Sequence, residues 1–295
     1  MDELKLKAFG KINLSLDITG IRPNGYHEVE MILQSVDLFD EILLKKSKQG
    51  IILFCEGQYV PADENNLAYK AARLILEHHS IKEGVDITLK KQIPIAAGMA
   101  GGSADAAAVL TGMNQLFDLS ISQEQLEKYA LRLGADVPFC LRGGTALSTG
   151  IGEILTELTP VPDCVVAIAK PEFGVTTKWV YEEYDKGKPK HHPNTKDILL
   201  SIKEKDINKL AVNMYNVLEE VTGKRYQVIA QIETAMKKAG ALGAMMTGSG
   251  PTVFGLFQKE ETAKRAVAKV KEMNLAKQTY VTRMQSKGVE YGNGF

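Results

Sequence analysis

The sequence predicts an α+β fold built as two domains, residues 1–159 and 160–295, and three observations predict it. The first half opens with alternating apolar and polar residues, as half-buried strands do, and then changes to the spacing of amphipathic helices. A glycine-dense stretch, PIAAGMAGGSADAAAVL from Pro94 to Leu110, joins a strand pattern directly to a helix pattern. Beyond TPVPDC, which reads as a linker, a second series of interleaved strand and helix patterns begins, as in a compact sandwich of helices on a sheet.

Along the chain, Leu4, Leu6 and Ala8, then Ile12, Leu14, Leu16 and Ile18, alternate as two short strands or one bent one. IRPNGY breaks that pattern with a turn. Strands are expected at 31–36, 41–45 and 51–54, and a helix from about Asn66, where Leu67, Ala71, Leu74 and Ile75 share a face. Val85, Ile87 and Leu89 alternate as the strand entering the glycine loop, and Ala107, Leu110, Met113, Leu116 and Phe117 keep helical spacing after it. Ser122 and Gln125 make a capping box that starts the next helix. The second half reads as a strand at 164–169, a polar flexible loop YDKGKPKHHPNTKD and short helices. A longer helix follows at about 225–238, then a glycine loop MTGSGPTVF, a helix at about 260–273 and a last strand near Tyr280.

Bulk properties exclude several function classes. Lys and Arg number 36 against 36 Asp and Glu, so no global field favours nucleic acid or a membrane surface, and an anionic ligand must be caught locally. No apolar run approaches the roughly 18 residues of a membrane span. Three cysteines without a CxxC pair and no signal-peptide pattern point to a soluble protein of the reducing cytoplasm. His27, in HEVEM, has no second histidine one turn on, and His191–His192 sits among Lys and Pro, so no protein-bound transition metal is expected. The oligomeric state leaves no mark on the sequence.

Gly98, Gly101 and Gly102 allow backbone dihedrals and close approaches that a Cβ forbids, and the helix behind them presents unpaired N–H groups at its positive dipole end. A polyphosphate fits such a cradle, with Ser103 available to a phosphate or to Mg²⁺. A strand-to-helix turn using glycines for geometry alone is the competing reading. Neither a P-loop nor a dinucleotide fingerprint is present.

FGKINLSLDI, the glycine loop and MTGSGPTVFGLF together resemble the three-part signature of the GHMP family of small-molecule kinases: a lysine strand, a P-x₃-G loop rich in Gly, Ser and Ala, and a late glycine hairpin. The resemblance spans nearly the whole chain. KINLSLDITGIRPNGYHEVEMILQSVDL and LGADVPFCLRGGTALSTGIGE further resemble those members that phosphorylate the 2-hydroxyl of a cytidine-diphosphate-linked methylerythritol in non-mevalonate isoprenoid synthesis. Mevalonate- and homoserine-type members are not expected to carry RPNGYHE. The resemblance implies a ribosomal-S5-like first domain, a ferredoxin-like second domain, and ATP with Mg²⁺ between them. The chain departs from the family loop at Met99, Ala100 and Ala104, and Ala100 leaves a Cβ where a glycine is usual.

Matched residue by residue, the family places ATP on Pro94, Gly98, Ala100, Gly101, Gly102 and Ser103, with Asn66, Asn65 and Lys90 or Lys91 on the adenosine side. Asp136, in LGADVP, matches the catalytic aspartate that orients the acceptor hydroxyl and takes its proton, although an Asp before Val-Pro also serves as an ordinary chain-reversal residue. Lys11 is placed beside it to keep it ionised, with Asn13 on the substrate. Tyr26 and His27 match the cytidine pair. Tyr181 matches a second stacking ring, or is core on an amphipathic helix. Thr247, Gly248, Ser249 and Gly250 form a second backbone-donor loop toward the substrate, or a plain hairpin turn. Another small-alcohol kinase of the family and a non-catalytic nucleotide sensor are the alternatives; keeping both Lys11 and Asp136 argues against the sensor.

Overall fold

The computed structural model describes residues 1–58, 60–187, 189 and 191–292. Two sheets form its frame. The larger runs β12-β1-β2-β4-β3, with β5 and β6 continuing from β2 and β8 lying parallel to β1. The smaller runs β11-β7-β10-β9 and is antiparallel throughout. Numbered along the chain, that smaller sheet has the order 4-1-3-2, with helices after its first and third strands and a short loop between its second and third, the ferredoxin-like arrangement.

The first lobe is organised by two long strands, β1 (Glu3–Ile21) and β2 (His27–Ser47), paired along almost their whole length. The alternation that suggested two strands or one bent one resolves as a single strand with register shifts between Phe9 and Lys11, between Asn13 and Ser15, and between Ile18 and Gly20. Residues 31–36 and 41–45, expected as separate strands, belong to one strand. The pairing continues through Asp40, whose charge reads as a break in the sequence but is buried against Lys91. β3 (Ile51–Glu56) and β4 (Gly84–Lys90) complete one edge. α1 (Leu67–His78) starts at Asn66, whose carboxamide oxygen accepts from the Ala68 N–H at 2.9 Å. α2 (Gly101–Leu116) follows the glycine loop, and α3 (Gln123–Leu133) starts where Ser122 accepts from the Gln125 N–H. α4 (Val137–Arg142), β5 (Thr145–Thr149) and β6 (Ile154–Glu157) are too short for the sequence pattern to reveal.

β7 (Val165–Lys170) opens the second sheet. α5 (Thr177–Lys186) takes the first residues of the expected polar loop, and α6 (Thr195–Lys203) takes the last, because Asn194 caps it. Lys188 and Lys190, in the middle of that loop, lie outside the described residues. α7 (Ile207–Asn213), β8 (Tyr215–Asn216), α8 (Glu219–Arg225), α9 (Val228–Lys238), β9 (Gly243–Met246), β10 (Val253–Phe257), α10 (Glu260–Glu272) and β11 (Gln278–Arg283) follow. β12 (Val289–Tyr291) then returns the chain to β1 of the first sheet.

β1 and β2 each contribute to two apolar cores. Leu6, Ala8, Ile12 and Leu14 share a core with the helices of the first lobe and with Val166, Ile168, Phe254 and Leu256 of β7 and β10, whereas Leu16 and Ile18 share a core with Val165, Ala167, Val253 and Phe257 of the same two strands. The same division falls on β2, between Ile32, Val36, Ile42 and Leu44 on one side and Val29, Met31 and Leu33 on the other. The strands that carry Lys11, Asn13 and His27 are therefore embedded in both lobes.

Candidate active site

A cavity of about 910 Å³ opens between the lobes, walled by both glycine loops, β1, the turn before β2, the start of α4, and α5. Its floor is the amino terminus of α2. The first intrahelical bond there runs from the Ala104 N–H to the Ala100 carbonyl, which leaves the N–H groups of Gly101, Gly102 and Ser103 without intrahelical acceptors. Ala100, the cap residue, has no side chain to satisfy them, and the first turn has no acidic residue. Three donors at the positive end of a 16-residue helix thus face a cavity, which is the geometry that holds phosphate.

The loop glycines do different things. A Cβ on Gly98, whose φ is +73°, would stand 2.2 Å from the Thr247 carbonyl oxygen, and one on Gly248, φ +56°, would stand 2.9 Å from the Gly98 carbonyl. These two glycines let the loops of the two lobes touch backbone to backbone. A Cβ on Gly101 would press on Ile93 at 3.0 Å and stand 3.5 Å from Lys91 Nζ, whereas one on Gly102 would meet only Leu67 at 3.7 Å. Ala100 holds the left-handed conformation, φ 57° and ψ 30°, in which a glycine carries no steric cost.

Pro94 and Asn66 line the same end of the cavity, with Asn65 beside them. Asn66 uses its oxygen as the α1 cap and donates its amide N–H to the Pro61 carbonyl at 2.7 Å. Of the two lysines before the loop, Lys90 is exposed and pairs with Glu41, whereas Lys91 lines the cavity from below. Its ammonium lies between Asp40 and Asp105, 2.5 Å from the Asp105 carboxylate, with all three side chains almost fully buried. Burial alone would lower Lys91, but Asp105 and Asp40 carry it above its ordinary value. Burial pushes Asp105 up to about 7, against the pull of Lys91 and with the help of Asp40. Of this cluster under the amino terminus of α2, the sequence offered Lys91 as an adenosine-side candidate, whereas the structure spends its ammonium on Asp40 and Asp105.

Lys11 and Asn13 sit between two register shifts of β1, which aim both side chains at the cavity. Lys11 donates to Asn13 Oδ1 at 2.7 Å, and its backbone N–H donates to the Met99 carbonyl of the first glycine loop at 3.1 Å. Asn13 is fully buried. Its Oδ1 also accepts from the Thr247 hydroxyl at 3.2 Å, and its amide N–H donates to Met31 Sδ at 3.4 Å, so its polar atoms hold Lys11 and the second loop in place. Asp136 stands at the cap position of α4 without capping it, and its carboxylate on the cavity wall is not spent on the helix. Burial pushes the Cys140 thiol up; Asp136 adds to that rise and Lys11 opposes it, so both charges act on one point of α4.

At the other end stand Tyr26, His27 and Tyr181. Tyr26 is 59 % exposed on its turn, with its ring free to cover a ligand. The His27 ring lies 4.7 Å from the Tyr181 ring. Burial and the Asp136 charge push the Tyr181 phenol well above its ordinary value. Gly248 and Ser249 line the cavity; Thr247 and Gly250 stand behind them. The second loop is braced by residues that sequence reasoning missed. Asn216 donates to the Met246 and Gly248 carbonyls at 2.9 Å each, Thr222 to the Ser249 carbonyl, and Glu219 accepts from the Met246 N–H at 2.6 Å. Their signal is tertiary, since each comes from an element remote in sequence from the loop.

Comparison with known proteins gives two family matches, GHMP kinases N terminal domain over residues 66–144 and GHMP kinases C terminal over residues 198–274. A 4-diphosphocytidyl-2-C-methyl-D-erythritol kinase of Clostridium botulinum (strain Eklund 17B / Type B) is 48% identical over 269 residues, covering 91% of this chain and 96% of that protein. The crystal structure of a 4-(cytidine 5'-diphospho)-2C-methyl-D-erythritol kinase superposes with a TM-score of 0.81 at 30% identity, covering 95% of this chain and 99% of the other. A homoserine kinase from Cytophaga hutchinsonii superposes with a TM-score of 0.78 at 22% identity, covering 99% of this chain and 98% of the other, a likeness of fold alone. Among the described residues no helix is long and apolar enough to cross a membrane.

Proposed function

The chain belongs to the GHMP kinase family, and from that premise we propose that its cavity moves the γ-phosphoryl group of ATP onto the 2-hydroxyl of 4-diphosphocytidyl-2-C-methyl-D-erythritol. One observation carries the reading: an uncapped helix amino terminus, an unspent carboxylate and a buried lysine share one cavity. The chain divides at 159/160 into a nucleotide-holding part and a part that closes the acceptor side.

Phosphoryl transfer has a loose transition state, so the protein contributes mainly by position and charge. The Gly101, Gly102 and Ser103 N–H groups receive the triphosphate, and their fixed dipoles need no reorganisation as charge shifts. Asp136 orients the acceptor hydroxyl and takes its proton. Lys11, held by Asn13, brings a positive charge to the alkoxide as it forms. Tyr26, His27 and Tyr181 hold the pyrimidine at the far end, and Gly248 and Ser249 close over the diphosphate. Mg²⁺ would neutralise the triphosphate and draw on the Ser103 hydroxyl and Asp136. Among the described residues no group of three or more His, Cys, Asp and Glu side chains is placed to hold a metal, which fits an ion ligated chiefly by phosphate and water.

ADP release from the purified protein, measured against cytidyl-linked methylerythritol, mevalonate and homoserine, tests the reading. Turnover confined to the cytidyl-linked alcohol is expected. Equal or better turnover of a simple alcohol would replace it with the smaller-substrate alternative, and ATP binding without any turnover would leave a sensor.

A further inference from the structure

The start of β2 and the end of α5 meet across the cavity at His27. His27 Nε2 lies 2.8 Å from Asp185 Oδ1. The imidazole is 11% exposed and the carboxylate 44%. Tyr181 and Asp185 are four residues apart on α5, so they share a face, and both are turned to the His27 ring and to the cavity. Tyr184 adds an edge contact at 6.2 Å between ring centroids.

A carboxylate can only accept, so Nε2 must carry the proton of this bond, and in the neutral ring Nδ1 is left as a lone pair. Among the described residues this is the ring's only hydrogen bond. Nδ1 is thereby defined as an acceptor at a cavity wall beside an aromatic face. We propose that Asp185 is a positioning residue for substrate specificity: by holding the Nε2 proton of His27 it presents Nδ1 to an exocyclic amino group, so that the site takes an aminopyrimidine and disfavours one with a carbonyl there. A cytosine offers that donor. A uracil sets an acceptor against an acceptor, and the resulting unmet polar contact costs affinity. Asp185 acts through His27 and without touching the base. The inference rests on the pyrimidine being held at this end of the cavity, as in the function proposed above.

Two measurements test it. Nitrogen-15 NMR of histidine-labelled protein, with the His27 signal assigned from its loss in His27→Ala, is expected to show the Nε2–H form in the parent and in Asp185→Glu, and a mixture of tautomers in Asp185→Ala. A parent in the Nδ1–H form, or a spectrum unchanged by Asp185→Ala, overturns the proposal without bearing on the kinase reading. In steady-state kinetics Asp185→Ala should raise KM for the cytidyl substrate about tenfold and bring its preference over the uridyl analogue close to one. KM for ATP and kcat should stay within about twofold, and Asp185→Glu should recover most of the loss. KM for both substrates rising together would reduce Asp185 to support for α5, and unchanged discrimination would remove it from specificity. If the parent turns over no cytidyl alcohol, the pyrimidine assignment falls together with the function reading, whatever tautomer His27 shows.

Discussion

At the scale of single residues, Asp136 is the group whose environment is most distinct from its sequence context. A cap position normally consumes an Asp side chain on the helix N–H groups, but here the α4 cap is unmade and the carboxylate stays on the cavity wall. Asp136→Asn keeps the shape and removes the proton acceptor, so kcat should fall by about 10²–10⁴ while both KM values stay within a few fold. Lys11→Met should resemble it, and the double variant should lose far less than the product of the single losses, since the two groups act as a unit. Near-parental kcat in Asp136→Asn would exclude it as the base. Ala100 makes a separate case. Its left-handed backbone costs about 1–2 kcal/mol for an L-residue, partly offset by the extra chain entropy that a glycine would lose on folding. Ala100→Gly should therefore raise stability by about 1 kcal/mol or less, read as a small upward shift in Tm; a lower Tm would mean that the Ala100 methyl packs usefully.

At the scale of elements, the two glycine loops are one device. Neither could adopt its path alone, because Gly98 and Gly248 each give up a Cβ to admit the other loop's backbone, while Asn216 and Thr222 fix the second loop from behind. Gly98→Ala should cost about 2 kcal/mol or more and weaken ATP binding, since the clash is with backbone and φ is +73°. Gly102→Ala is the contrast: its methyl meets only Leu67 at 3.7 Å and helix propensity favours Ala by about 1 kcal/mol, so Tm should hold and any change should fall on KM for ATP. Paired melts and ATP titrations of the two variants separate the roles; equal loss of stability in both would show that the phosphate floor, too, depends on tight glycine packing.

At the scale of the whole molecule, β1 and β2 tie two cores into one body, so the cavity between the lobes is framed by strands that neither lobe can release alone. Buried acids set a pH response on this frame. Burial, reinforced by the facing Glu233, pushes Glu219 up to about 8, and burial pushes Asp105 up to about 7. Glu233 Oε1 otherwise lacks a partner, and the proton kept on Glu219 supplies one. The unfolded chain releases these protons in the ordinary carboxylate range while the folded chain keeps them. Their contribution is therefore complete below about pH 3.8 and is lost as pH rises from there through about 7 to 8, with a slope of at most about 1.4 kcal/mol per pH unit for each proton. Glu219→Gln, which retains a donor toward Glu233, should flatten the upper part of that profile in chemical denaturation followed from pH 5 to pH 9. An unchanged slope would assign the response elsewhere.

The α+β class, the helix starts at Asn66 and Ser122, and the glycine loop opening α2 were legible because local patterns fix them: alternation, a capping side chain, and a run of residues without bulk. The family resemblance nominated the candidates, and all of them but Lys90, Thr247 and Gly250 line one cavity. Tertiary structure decided the rest. Asp40 reads as a strand break until Lys91, from beyond the end of β4, neutralises it in the core. Likewise, the ends of β1 and β2 are divided between two cores, β12 is a strand only because β1 offers it an open edge, and Asp185 meets His27 only because α5 folds over the cleft. Each of these depends on groups separated by up to hundreds of residues, and local pattern carries no information about such pairings until the chain has closed on itself.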